Sequence, residues 1–185
     1  MITNNDDITI IYDKIKIRTL SIADCKPYYV NWLNDPRVHE FLETRHSPQT
    51  LDSIKEYVSK VSLDLLSYHF AIILSCNNRH IGNIKLGPVD LVHRVSDISY
   101  FIGDVPSWGC GYAYQTIQAV LIFAFENLDL KRIQASCYES NIGSINLLKK
   151  CGFSKEGVLR NRFIDINDQR SSSYIYGILQ EEFNE

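Results

Sequence analysis

One stretch constrains this chain more than any other: Trp108-Gly109-Cys110-Gly111 followed by YAYQTIQAVLIFAF. From Tyr112 to Phe125 no residue carries a charge, so a helix there is apolar on nearly every side and must lie buried in a core. A turn into such a helix needs one glycine, yet two flank Cys110. One reading is a plain glycine turn. The other starts from the backbone N–H groups at a helix start, which lack intrahelical partners and carry the positive end of the helix dipole. A loop without Cβ atoms at 109 and 111 lets an anion approach them. The loop alone leaves both readings open. A dinucleotide fingerprint is excluded, because its third glycine would fall on Tyr114 and Asp129 precedes the next strand. No Gly-Lys-Ser/Thr follows, which excludes a Walker loop.

The flanking segments fix the fold class. Strands are expected over KIKIRTL (14–20), YHFAIILS (68–75), RHIGNIKLG (79–87), VSDISYFIG (95–103) and KRIQASCY (131–138), with two more around 153–164 and 171–180. Asn77-Asn78 and Asn167-Asp168 supply turn chemistry. Helices are expected over 23–34 with Pro27 in its first turn, and from the Asp35-Pro36 cap through Leu42. Further helices fit 47–63, about 112–127, and NIGSINLLKKCGF closed by Gly152. Residues 1–13 are polar and are read as loosely ordered, ahead of a single domain over 14–185. The order β-α-α-β-β-β-α-β-α-β-β predicts a mixed α/β fold: a largely antiparallel, twisted sheet with helical crossovers late in the chain.

Composition then removes whole classes. A net charge of −3 without a basic block disfavours nucleic acid. No apolar run nears the roughly 18 residues of a membrane span, and MITNNDDITIIYDK has no basic region before an apolar stretch. The five cysteines are odd in number and lack CxxC spacing, so free thiols in a cytoplasmic protein are expected. No metal site is expected, since the five histidines have no paired spacing.

A G-x-G-Y-A loop, a strand, and then N-x-x-S-I-x-x-L-x-K-x-G-F form a specific combination. It resembles the GNAT superfamily of acyl-CoA-dependent N-acetyltransferases, in the branch that acetylates ribosomal-protein N-termini. IRTLSIAD, WLNDPRV, HIGNIKLG, DISYFIG and YGIL extend the likeness over residues 15–180. The resemblance implies a twisted mixed sheet with helices on both faces and acetyl-CoA as cosubstrate. It assigns the coenzyme pyrophosphate to the amides of Trp108, Gly109, Cys110, Gly111, Tyr112 and Ala113. It assigns the pantetheine arm to the splayed strand end Phe101-Ile102-Gly103, with Asn141, Ser144 and Asn146 on the facing helix. It implies direct transfer, with a nucleophilic role for Cys110 at the helix start as the alternative.

Attack of an amine on a thioester needs three things. An alkyl ammonium with a pKa of about 10 must lose a proton. The oxyanion needs a donor, and a backbone N–H near Ile102 is the candidate. The thiolate must leave. The tyrosine that many family members use as the acid would stand at Leu148, so Ser144 is the substitute; its alternative role is a helix cap. Asp97 is the first candidate base, with a strand-end ion pair as its alternative. Glu43 is the second, with a helix-end surface charge as its alternative.

In such a fold the acceptor lies between the first helices and the last hairpin. Trp32, Glu43, Arg45, His46 and Arg162 are the contact candidates. The arginines there, with Arg160, suit an acidic or phosphate-bearing acceptor such as a nucleotide-linked amino sugar, unless they are ordinary loop charges. Three functions remain open: a small-molecule N-acetyltransferase, a protein N-terminal or lysine acetyltransferase, and a silent acyl-CoA sensor. A narrow acceptor pocket would favour the first. A homodimer through Tyr174, Tyr176 and the final strand is also allowed.

Overall fold

The computed structural model describes residues 7–183. Strands β1 (Thr9–Tyr12), β2 (Ile15–Thr19), β3 (Tyr68–Leu74), β4 (His80–Leu86), β5 (Val95–Ile102), β6 (Arg132–Tyr138), β7 (Ser154–Ile164) and β8 (Arg170–Leu179) form one sheet. Its order is β1-β2-β3-β4-β5-β6-β8-β7. Only β5 and β6 run parallel; the other neighbours are antiparallel. The helices are α1 (Pro27–Asn34), α2 (Pro36–His39), α3 (Leu51–Val61), α4 (Tyr112–Ile122) and α5 (Ile142–Lys150).

Local chemistry sets these bounds. Pro27 opens α1, where its missing N–H costs nothing. Asp35 caps α2 by accepting from the Arg37 amide at 3.0 Å. That helix stops at His39, short of Phe41 and Leu42. Thr50 and Ser53 cap α3 reciprocally. Gly152 follows α5 at φ +92°, the left-handed closure expected of it. The expected helix to about 127 changes pitch at its end, where Phe123–Asn127 form a π-turn.

Two expectations are corrected. The polar start of the chain contains β1, in which every residue of TIIY registers with β2, from Thr9↔Arg18 to Tyr12↔Ile15. Asp13 makes the turn at φ +46°. The final strand β8 is also no free edge: β6 and β7 bond its two sides, so Tyr174 and Tyr176 stand on no open backbone edge to which a second chain could add.

Cores lie on both faces of the sheet. On one, α4 and α5 cover Phe70, Ile72, Ile84 and Ile133. Thr116 through Leu121 are all buried, which is why the helix carries no charge. On the other, α1 and α3 bring Tyr29, Leu33, Ile54 and Val58 onto Ala71 and Ile73.

Candidate functional site

The parallel pair is what makes a site. β5 and β6 register only from Val95↔Arg132 to Ile98↔Ala135, and beyond that they have no pairing. Strand alternation decides which groups face the gap. The Gly103 amide donates to Ile81 O at 2.8 Å and Asp97 O accepts from Gly87, so the odd-numbered residues bond β4. The backbone groups of Tyr100 and Ile102 therefore point into the gap. Ile102 O is taken by the Trp108 indole at 2.8 Å, which leaves the Tyr100 amide and carbonyl and the Ile102 amide on the splayed edge. Of Phe101-Ile102-Gly103, only Ile102 offers backbone there. Gly103 answers a different need, since a Cβ on it would lie 2.2 Å from the Trp32 ring.

The gap opens into a cleft of about 820 Å³, walled by both strand ends, the 107–114 loop and α5. Gly109 and Gly111 have φ +74° and +81°, and an added Cβ on either would meet no atom within 4 Å. Both glycines thus make the turn, and both border open space. The amides of Gly109 through Ala113 find no acceptor in the chain among the described residues. The Trp108 amide does not join them, because it donates to Val105 O at 3.0 Å. These unpaired donors fit a pyrophosphate. Lys150, absent from the sequence-based candidates, lies on the same wall with its ammonium 4.7 Å from the Tyr114 ring centre.

Ser144 projects from the first turn of α5. It is not the cap; Asn141 Oδ1 caps the helix by accepting from the Ser144 amide at 3.0 Å. The Ser144 hydroxyl instead meets the Tyr100 hydroxyl at 2.9 Å. Burial pushes the Tyr100 phenol well above its ordinary value, so it stays protonated. Ser144 also reaches the Cys137 thiol, which burial raises. Leu148 fills the position expected of a tyrosine and is fully buried. Asn146 is exposed and is not on the cleft wall.

A second cleft of about 450 Å³ lies under α1 and α3. It shares Phe41, Leu42, Glu43, Ser99, Tyr100 and Phe101 with the first. Glu43 stands at this junction. Its Oε1 accepts from the Tyr138 hydroxyl at 2.8 Å, and its Oε2 lies 3.4 Å from His46 Nε2. Arg45 Nη2 donates to the Tyr138 hydroxyl at 2.7 Å and to Ile164 O, tying the 3-10 turn Glu43–His46 to the last hairpin. Tyr138 stacks on Phe163 with 4.1 Å between ring centres.

Several candidates are not brought here. Asp97 is exposed, accepts from the Gln134 amide side chain at 3.0 Å, and lines neither cleft. The physical reason is that it sits where β5 and β6 still pair, below the splay. Trp32 packs among Tyr28, Tyr29 and His80. Arg45 is committed to the chain itself, and Arg160 and Arg162 are exposed on β7, outside both clefts. Among the described residues no cluster of His, Cys, Asp or Glu could hold a metal, and no helix is long and apolar enough to cross a membrane.

A splayed parallel pair, a helix start with unpaired amides and a second cleft meeting the gap make up the site. A family model for the acetyltransferase (GNAT) domain matches residues 14–154, and the chain belongs to that family of N-acetyltransferases. It is 38% identical over 174 residues to the uncharacterized N-acetyltransferase YnaD of Bacillus subtilis (strain 168), covering 92% of this chain and 96% of that one. It is 27% identical over 184 residues to the uncharacterized N-acetyltransferase p20 of Bacillus licheniformis, with 95% and 98% covered. Its fold is shared with a GNAT-family acetyltransferase from Bacillus anthracis (TM-score 0.81, 24% identity, 94% and 99% covered). It is also shared with a spermidine N-acetyltransferase from Vibrio cholerae solved with CoA and spermine (TM-score 0.82, 23% identity, 92% and 98% covered).

Proposed function

We propose that the chain transfers the acetyl group of acetyl-CoA directly to the primary amine of a small-molecule acceptor. The observation that carries this reading is the shared wall of the two clefts at Glu43 and Ser99–Phe101. The larger cleft takes the coenzyme and the smaller takes the amine, so their reacting ends meet at that wall. The confined volume of the second cleft favours a small molecule over a peptide.

In this reading the amides of Gly109–Ala113 hold the pyrophosphate, aided by Lys150, and the edge of Tyr100 and Ile102 pairs with the pantetheine amides. The amine nitrogen attacks the thioester carbon, and its proton passes to the Glu43 carboxylate. The Tyr100 and Ile102 amides, two residues apart on the strand, cannot share one oxygen, so one of them receives the charge that develops on the carbonyl oxygen while the other stays with the pantetheine arm. The C–S bond breaks, the leaving thiolate accepts a hydrogen bond from the Ser144 hydroxyl, and the proton it finally takes comes from solvent. With the Tyr100 phenol as donor to Ser144, the serine keeps its own proton directed at the sulfur. The support for a nucleotide-linked amino sugar is weakened, because the arginines that suggested it are not gathered at the cleft. Five free thiols fit a cytoplasmic setting.

The test is mass spectrometry of an amine panel incubated with enzyme and acetyl-CoA. A gain of one acetyl group on a small amine supports the reading. Acetylation confined to peptide N-termini, or none at all with acetyl-CoA bound, overturns it.

A further inference from the structure

The second cleft has an uneven inventory of charge. Its walls are mostly apolar, with Leu33, Ile54 and Phe101 among them. Among the described residues that line it, Glu43 is the sole carboxylate and Lys85 the sole permanent cation, and no arginine is present. Lys85 comes to the floor of the cleft by register, facing His69 on β3 and Ser99 on β5 in one cross-strand row. No ion pair of Lys85 within 4.0 Å occurs among the described residues. His69 adds no second cation near neutral pH, since burial foremost, then the Lys85 ammonium, lowers its pKa to about 4.

Resting on the transferase reading above, we propose that the acceptor is a primary amine with an apolar body and one anionic group, an apolar amino acid being the simplest case. The amine takes the Glu43 end, the anion pairs with Lys85, and the body lies against the aromatic and aliphatic wall. A polyamine is the wrong complement. Its second ammonium would find no further carboxylate and would meet Lys85, and like charges in a partly desolvated cleft repel strongly. A nucleotide diphosphate is wrong too, since the cleft offers one lysine in place of the paired arginines that a diphosphate favours.

The experiment uses the full chain with acetyl-CoA. Its acceptors are apolar α- and ω-amino acids, each beside its decarboxylated amine, with spermine and a nucleotide-linked amino sugar. The acid-bearing amine of the best pair is expected to exceed its decarboxylated partner in kcat/KM by about tenfold or more, the scale of one charge-assisted hydrogen bond. Lys85→Gln should collapse that ratio through KM, Lys85→Glu should invert it, and Lys85→Arg should keep it. If spermine or the nucleotide sugar is acetylated best, or the ratio ignores the Lys85 variants, the acceptor class is wrong while the transferase reading stands. If no amine gains an acetyl group although calorimetry detects acetyl-CoA binding, the transferase reading falls and takes this proposal with it.

Discussion

The Tyr138 hydroxyl donates to Glu43 Oε1 at 2.8 Å while Arg45 donates to the same hydroxyl at 2.7 Å. A strand that ends in the splay thereby grips the carboxylate at the cleft junction and the turn that carries it. Burial foremost pushes the Tyr138 phenol up, so it serves as a neutral donor. Tyr138→Phe removes both bonds and frees the carboxylate to turn into solvent. The expected result is a fall in kcat of about tenfold, with coenzyme affinity kept, as read by steady-state kinetics and calorimetry.

The Ser144 and Tyr100 hydroxyls form one hydrogen-bonded pair. Ser144→Ala should lower kcat by about 10–100-fold with acetyl-CoA. With an acetyl thioester of a more acidic thiol, whose thiolate leaves unaided, the deficit should shrink. Tyr100→Phe should give a smaller deficit with the same dependence on the leaving group. A deficit that ignores the leaving group would mean that Ser144 only positions the pantetheine arm.

The two glycines can be tested apart from the turn they make. At φ +74° and +81°, alanine at 109 or 111 should cost about 1–2 kcal/mol of stability by urea unfolding. Asparagine tolerates the left-handed region better and should recover part of that loss. Neither residue should recover coenzyme affinity, because the added side chain enters the space bordered by the unpaired amides. Recovery of affinity with asparagine would reduce the second glycine to a turn former.

His69 sets a pH dependence of stability. Its folded pKa is lowered to about 4 against about 6.5 unfolded. Between those values the unfolded chain binds a proton that the folded chain refuses. The stability it contributes is complete above about pH 6.5 and is lost as pH falls toward 4, at about 1.4 kcal/mol per pH unit. Lowered for the same burial, His80 adds in the same direction. His69→Gln should flatten the decline measured by urea unfolding between pH 7 and 4.5.

Much of this was legible in the chain. The glycine pair before an uncharged helix marked a tight turn into a buried helix, and Asp35-Pro36, Thr50 and Gly152 marked helix ends through chemistry that acts within a turn. What stayed hidden depends on register. Lys85, Ser99 and His69 become neighbours only because β3, β4 and β5 align them. Tyr100 brings a hydroxyl to Ser144 from another element, a contact that no local spacing announces. Asp97 is a candidate base by its place in a strand, yet that strand stays paired with β6 through Ile98. β1 was masked by its polar neighbours, since four residues signal a strand only once β2 is there to pair with.

The most direct test compares two carboxylates. On an acceptor found by mass spectrometry, kcat is measured for Glu43→Gln and Asp97→Asn at saturating acetyl-CoA. We predict a loss of about 10²–10⁴-fold for Glu43→Gln and a change within about threefold for Asp97→Asn. A large loss at Asp97 with Glu43→Gln near wild type would contradict a reaction at the junction of the two clefts.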